Sequence, residues 1–209
     1  MASLELVWPT RDYLAGYVDA LRRGWSPNTV RPEAAVEELE EITRDTDAFL
    51  ALQVDREGRG PPVPLPDGSL GKRIPGYRRW LWDGEFCGTI GFRWQPGTND
   101  VPPHCLGHIG FSIVPWKRRR GYATRALALL LPDVAREGLD WVELTTNVDN
   151  VASQRVIQAN GGELVEHFRK PDAYGAGEGL RFRIPLVQRV AAASRPTRTS
   201  GSDETQRDA

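Results

Sequence analysis

Apolar positions along this chain fall into two alternating patterns, short strand-like runs and longer stripes with a period of three to four residues. Leu4-Glu5-Leu6-Val7-Trp8 reads as a first strand closed by Pro9. Thr10 then stands where a helix cap belongs, and Tyr13, Leu14, Tyr17, Val18 and Leu21 recur at helical spacing until Gly24. A second helix is expected from Pro32, with Val36, Leu39 and Ile42 as its apolar stripe and five glutamates over the rest. Tyr77 to Trp82 and Glu85 to Trp94 flank Asp83-Gly84, a two-residue hairpin signal, and Phe86, Ile90, Phe92 and Trp94 are expected on one face. Gly107 to Val114 is another strand, stopped by Pro115. Ala123, Ala126, Leu127, Leu130, Leu131 and Val134 predict a core-facing helix over 121–137, which Pro132 should kink or restart. A strand over 141–146 precedes a helix capped by Asp149 or Asn150 and ended by Gly161-Gly162. Residues 163–170 and 180–187 complete the pattern as a strand pair joined by a Gly-rich loop.

The order is strand, two helices, three strands, helix, strand, helix, two strands. It predicts a single α/β domain over residues 1–187 with a mixed sheet and no internal repeat. Residues 56–76 are rich in Pro and Gly and read as a surface insertion. Residues 188–209 have almost nothing to bury and are expected to be a disordered tail.

Composition narrows the classes of function. The chain has 209 residues, 40% hydrophobic and 26% charged, enough to bury a core without disulfides or metals. The net charge of −1 argues against a protein that coats nucleic acid or binds membranes through a basic surface. That figure is a cancellation. The first 57 residues are net −6, residues 58–132 are net +7 and the remainder is net −2. Cys87 and Cys105 form no C-x-x-C motif, and with His104, His108 and His167 they show no metal-ligand spacing, so no metal is expected. There is no apolar signal core and no apolar run near the roughly 20 residues that span a bilayer. A cytoplasmic protein without membrane or nucleic-acid partners is the simplest expectation.

The segment that points to chemistry is Val114-Pro115-Trp116-Lys117-Arg118-Arg119-Arg120-Gly121-Tyr122-Ala123-Thr124. An apolar strand ends, a basic turn follows, and small residues open a helix. A helix start offers unpaired N–H groups and a partial positive charge, which suits a pyrophosphate. A solvated basic turn and a nucleic-acid patch are the rival readings. Neither a P-loop nor a dinucleotide glycine fingerprint is present.

Arg118-Arg119-Arg120-Gly121-Tyr122-Ala123 resembles the [Q/R]-x-x-G-x-[G/A] acetyl-CoA motif of the GNAT superfamily of N-acetyltransferases. Gly110-Phe111-Ser112-Ile113-Val114-Pro115 is similar to that family's splayed central strand. Asn150-Val151-Ala152-Ser153, followed by Asn160-Gly161-Gly162, resembles its later helix. The resemblance implies a GNAT-like fold, a twisted mixed sheet with splayed central strands flanked by helices, and transfer of an acetyl group from acetyl-CoA (coenzyme A as co-substrate) to a primary amine. It assigns pantetheine to the backbone of Ser112, Ile113 and Val114, with the Val114 N–H as oxyanion donor. It assigns the pyrophosphate to the amides from Arg118 through Arg119, Arg120, Gly121, Tyr122 and Ala123 to Thr124. Lys117, Arg119 or Arg120 would reach the outer phosphate, and Asn150 and Ser153 would approach the pantetheine arm.

A neutral amine is needed for attack, so a proton must leave. The family position for a glutamate base is occupied here by His108, with Glu85, Asp83 and Glu143 behind it. The position where many relatives carry a tyrosine acid is Ile157, which leaves Tyr122, Tyr174 or an unassisted thiolate departure. The acidic N-terminal region is consistent with drawing in a cationic amine, whether a small molecule, an amino acid or a protein amine. The other readings are an acyl-CoA-binding domain without catalysis, motivated by the missing tyrosine, and less well a nucleic-acid-binding protein. Exposed hairpin edges leave a homodimer open.

Overall fold

The computed structural model describes residues 3–65, 67–174 and 177–186. The expected tail over 188–209 lies outside the described residues, as does the centre of the loop between the last two strands.

The chain begins with β1 (Glu5–Val7) and the helix α1 (Arg11–Arg22), whose end is followed by Gly24 at φ +83°. The single helix expected next is two: α2 (Ala34–Arg44) and α3 (Thr46–Leu52). Asp45 separates them in an extended conformation, and its side chain caps α3 by accepting from the Ala48 N–H. The inward face of α2 carries Ala35 and Ile42, while Val36 is 59% exposed, so the expected stripe is rotated.

Residues 54–82 contain four strands, β2 (Val54–Asp55), β3 (Val63–Pro64), β4 (Leu70–Gly71) and β5 (Gly76–Trp82). β3 and β4 form a two-stranded ribbon within the Pro- and Gly-rich segment. β5 turns through Asp83-Gly84 into β6 (Phe86–Arg93), and β7 (Ile109–Ile113) pairs antiparallel with β6. The first sheet has the order β1-β5-β6-β7, with β2 on the far end of β5. The second sheet has the order β8-β10-β9, built from β8 (Trp141–Asn147), β9 (Glu163–Arg169) and β10 (Glu178–Pro185).

Two helices connect these strands. α4 (Tyr122–Val134) buries Ala126, Leu127, Leu130 and Val134. It runs through Pro132 without restarting and ends in a 3-10 turn. Both Pro132 and Ala128, whose carbonyl would have bonded a residue at that position, are exposed. α5 (Val151–Gln158) starts at Asn150 and stops before Gly161 at φ +82°.

The first sheet separates two cores. Trp80, Val7, Phe86 and Val114 pack against α1–α3 around the fully buried Tyr17. Leu81, Ile90, Phe92, Trp94 and Ile109 pack against α4 and the second sheet. Phe86 was expected to share a face with Ile90, Phe92 and Trp94, but it is buried on the opposite one. A β-bulge opposite Leu81 and Trp82 shifts the phase of β6 between them. The bulge depends on Gly88 at φ +146°, where a Cβ would sit 2.2 Å from the Ser112 carbonyl oxygen.

Candidate active site

β7 and β8 form no ladder among the described residues. They meet at one point, where the His108 N–H donates to the Glu143 carbonyl (2.7 Å) and the Glu143 N–H donates to His108 Nδ1 (3.0 Å). A Cβ on Gly107 would lie 2.7 Å from that same carbonyl, so the approach needs glycine. Beyond the junction the two strands separate, and a cavity of about 500 Å³ lies between Ile109–Phe111 and Leu144–Asn147.

Which groups of β7 face this gap follows from ladder parity. Arg93 N–H donates to the His108 carbonyl and Val114 N–H to the Cys87 carbonyl at 3.0 Å, so the even-numbered residues of β7 bond to β6. Phe111 and Ile113 therefore turn their N–H and C=O toward the opening, where the Ile113 carbonyl accepts from Arg118 Nε (3.2 Å). The expected oxyanion donor is thus corrected: the Val114 N–H is already used and Val114 is fully buried. Ser112 bonds to β6 through its backbone, and its hydroxyl accepts from Trp25 Nε1 (2.9 Å) and donates to the Ser26 carbonyl. It fastens the loop between α1 and α2 onto β7.

A second cavity of about 440 Å³ continues from the gap toward the start of α4. It brings together most of the residues singled out in the sequence: Ser112, Ile113, Arg118, Arg119, Gly121, Tyr122, Ala123, Thr124, Asn150 and Ser153. Arg119 has φ +61° and Gly121 φ +74°, so the loop makes two left-handed steps just before the helix. Gly121 offers no side chain to cap α4, and the first intrahelical bond of this turn runs from Arg125 N–H to the Gly121 carbonyl. The N–H groups of Tyr122, Ala123 and Thr124 are the ones a helix start leaves unpaired. Asn150 Oδ1 accepts from the Ser153 N–H at 3.1 Å, so Asn150 caps α5 and also lines both cavities, its Nδ2 remaining for other partners. Arg120 is exposed and lines neither cavity.

Other residues singled out in the sequence are buried or already have partners. Lys117 lines the α4 cavity too, but it is nearly buried and its charge is paired with Asp83 (3.0 Å) and Glu85 (2.8 Å). His108 has no exposed surface; its Nδ1 accepts from a backbone N–H and its Nε2 has no hydrogen-bond partner among the described residues. It lines neither cavity, and burial lowers its pKa below 6.5. The backup bases are also engaged. Asp83 accepts from Lys117 and from Tyr122 Oη (2.5 Å). Burial acts to raise its pKa, but these hydrogen bonds outweigh it and hold the group at about 2. Glu143 is ion-paired to Arg181 and Arg183, and Glu85 to Lys117. Tyr174 Oη is bonded to the His104 carbonyl, and Ile157 is buried.

The family described as acetyltransferase (GNAT) domain matches residues 19–163. The chain belongs to the GNAT acetyltransferases. It is therefore an acyltransferase whose acetyl donor is acetyl-CoA. No curated protein matches the sequence. Solved GNAT structures share its fold at low identity. The Microcin C7 self-immunity acetyltransferase MccE, in complex with acetyl-CoA and AMP, superposes with a TM-score of 0.59 at 11% identity, covering 88% of this chain and 92% of its own. RimL, a ribosomal L7/L12 alpha-N-protein acetyltransferase in complex with coenzyme A, gives 0.58 at 12% identity, covering 90% and 97%. The Salmonella typhimurium acetyl transferase that modifies the N-terminal serine of ribosomal protein L7/L12 gives 0.52 at 13%, covering 90% and 97%. In GNAT terms β7 and β8 are the splayed pair, so the expected fold class holds. No helix of the described residues is long and apolar enough to cross a membrane.

Proposed function

We propose that this acetyltransferase moves the acetyl group of acetyl-CoA to a primary amine inside the gap between β7 and β8. The observation that carries the reading is the continuity of that gap with the cavity at the uncapped start of α4, through Thr29, Phe111, Asn150 and Ser153, which line both. Acetyl-CoA would supply a thioester carbonyl and a thiolate leaving group of pKa near 8.5. The amides of Tyr122, Ala123 and Thr124 would hold its pyrophosphate, with Arg118 and Arg119 adding charge. The N–H and C=O of Phe111 and the N–H of Ile113 would pair with pantetheine as an added strand would. One of their N–H groups, in place of Val114, would stabilise charge developing on the carbonyl oxygen. Asn150 Nδ2 and Ser153 support the arm from α5.

His108 serves in this reading as a positioning residue that pins β7 to β8 where they begin to part. With each expected base engaged or buried, the amine reacts in its neutral form and its proton leaves to water in the gap. A thiol-release assay over an amine panel tests the transfer. For an amine of pKa near 10, kcat/KM should rise about tenfold per pH unit between pH 6 and 9. A plateau set by a group titrating at or below 6.5 would restore His108 as the base. Calorimetry with acetyl-CoA tests the binding half, and no heat at near-millimolar ligand would overturn the whole reading.

A further inference from the structure

We propose that the acceptor amine carries a carboxylate, and that Lys170 with Arg78 receives it; this deepens the acetyl-transfer reading above and rests on it. The charged side chains lining the gap between β7 and β8 are Arg78 and Lys170, both cations, and no carboxylate lines it among the described residues. Lys170 follows β9, and its backbone N–H is tied to the Gly177 carbonyl (2.9 Å). Its Nζ donates to Asn147 Oδ1 (3.1 Å) and makes no ion pair among the described residues. Arg78 enters from β5. Its Nη1 donates to Tyr17 Oη and to Glu38 Oε1, both at 3.1 Å, while its Nη2 and Nε donate to none of the described residues. The pair is thus a fixed guanidinium with donors to spare and an uncompensated ammonium.

The sheet makes room beside Arg78. Arg78, Gly91 and Gly110 lie side by side across β5, β6 and β7 on the α1–α3 face, so two glycines floor the approach to the gap. That face carries the net −6 N-terminal region, whose composition alone is consistent with drawing in a cationic amine. None of its carboxylates lines the gap: Glu33 and Glu37 pair with Arg31, and Glu38 holds Arg78 in place. A second ammonium on the acceptor would therefore face Lys170, whereas a carboxylate would find two donors.

Calorimetry on the full chain saturated with coenzyme A tests this without turnover, using L-glutamate, a peptide beginning Ala-Glu, and putrescine. We expect at least one acidic probe to bind roughly tenfold or more tighter than putrescine, which of the two telling a free amino acid from a peptide terminus. Lys170→Glu should abolish that preference while coenzyme A still binds through its phosphates at the α4 cavity, which Lys170 does not line. Arg78→Ala would strand Glu38 and Tyr17 in the core, so the lysine carries the test. Putrescine binding as tightly as the acidic probes, no binding of either acidic probe, or a preference indifferent to Lys170→Glu would each overturn the assignment. Thiol release from acetyl-CoA with the same amines reports on acetyl transfer alone and keeps the two failures apart.

Discussion

A histidine that accepts a backbone N–H at one nitrogen and is shut from solvent at the other is held neutral. Because burial lowers the pKa of His108 below 6.5, the folded protein binds that proton less readily than the unfolded chain does. Its contribution to stability is complete above pH 6.5 and falls as pH drops below that. His108→Gln, which keeps an acceptor for the Glu143 N–H, should flatten the loss of stability between pH 7.5 and 5.5 in urea melts, and an unchanged slope would place the effect elsewhere. Arg119 gives a second expectation. Its φ of +61° costs a side chain about 1–2 kcal/mol that glycine avoids, offset in part by glycine's greater freedom when unfolded. Arg119→Gly should therefore change the melting temperature little, yet weaken acetyl-CoA binding and make it less sensitive to salt; a large drop in stability would contradict this. At this scale the sequence marked the residues that line the α4 cavity well and the outward N–H groups of β7 poorly. The basic turn and Gly121 are contiguous, so their pattern survives in one dimension. Which N–H groups point into the gap depends on the register of β7 on β6, and nothing within β7 records that.

Elements are pinned by contacts between residues far apart in the chain. Asp83 sits in the tight turn of the β5–β6 hairpin and ties it to Lys117 and to Tyr122, the first residue of α4. Asp83→Asn should cost about 1–3 kcal/mol by leaving Lys117 with Glu85 alone, and should weaken acetyl-CoA binding by loosening the helix start. The first effect is read in denaturant melts and the second by calorimetry. The carboxylate is held at about 2, against an ordinary value of 3.8, so this contribution is present above 3.8 and disappears as pH falls toward 2. The same contact explains why Lys117 looked like a phosphate ligand in a run of four cations: its partner lies 34 residues earlier. The hairpin, α4, α5 and the final strand pair were legible because each has a periodic stripe and a punctuating Gly, Pro or Asn. The break at Asp45 was not, since the apolar residues on either side of it continue a plausible helical spacing.

At the scale of the molecule, two sheets part around a gap that opens toward α4 and α5 on one side and toward α1–α3 on the other. The order of strands and helices was readable from patterning, and with it the family. The charge lining the gap was not. Summed over sequence, the N-terminal region is strongly acidic; in space none of its carboxylates lines the gap, and the charged side chains that do are cations. The bulge at Gly88 reaches furthest across the structure. By reversing the facing of β6 part-way along, it makes one strand contribute Phe86 to the core under α1–α3 and Ile90, Phe92 and Trp94 to the core under α4. A strand stitched into two cores couples their fates. Amide hydrogens of α1 and of central β6 should exchange at a common slow rate set by global unfolding, and early exchange confined to α1 would show the two halves opening separately.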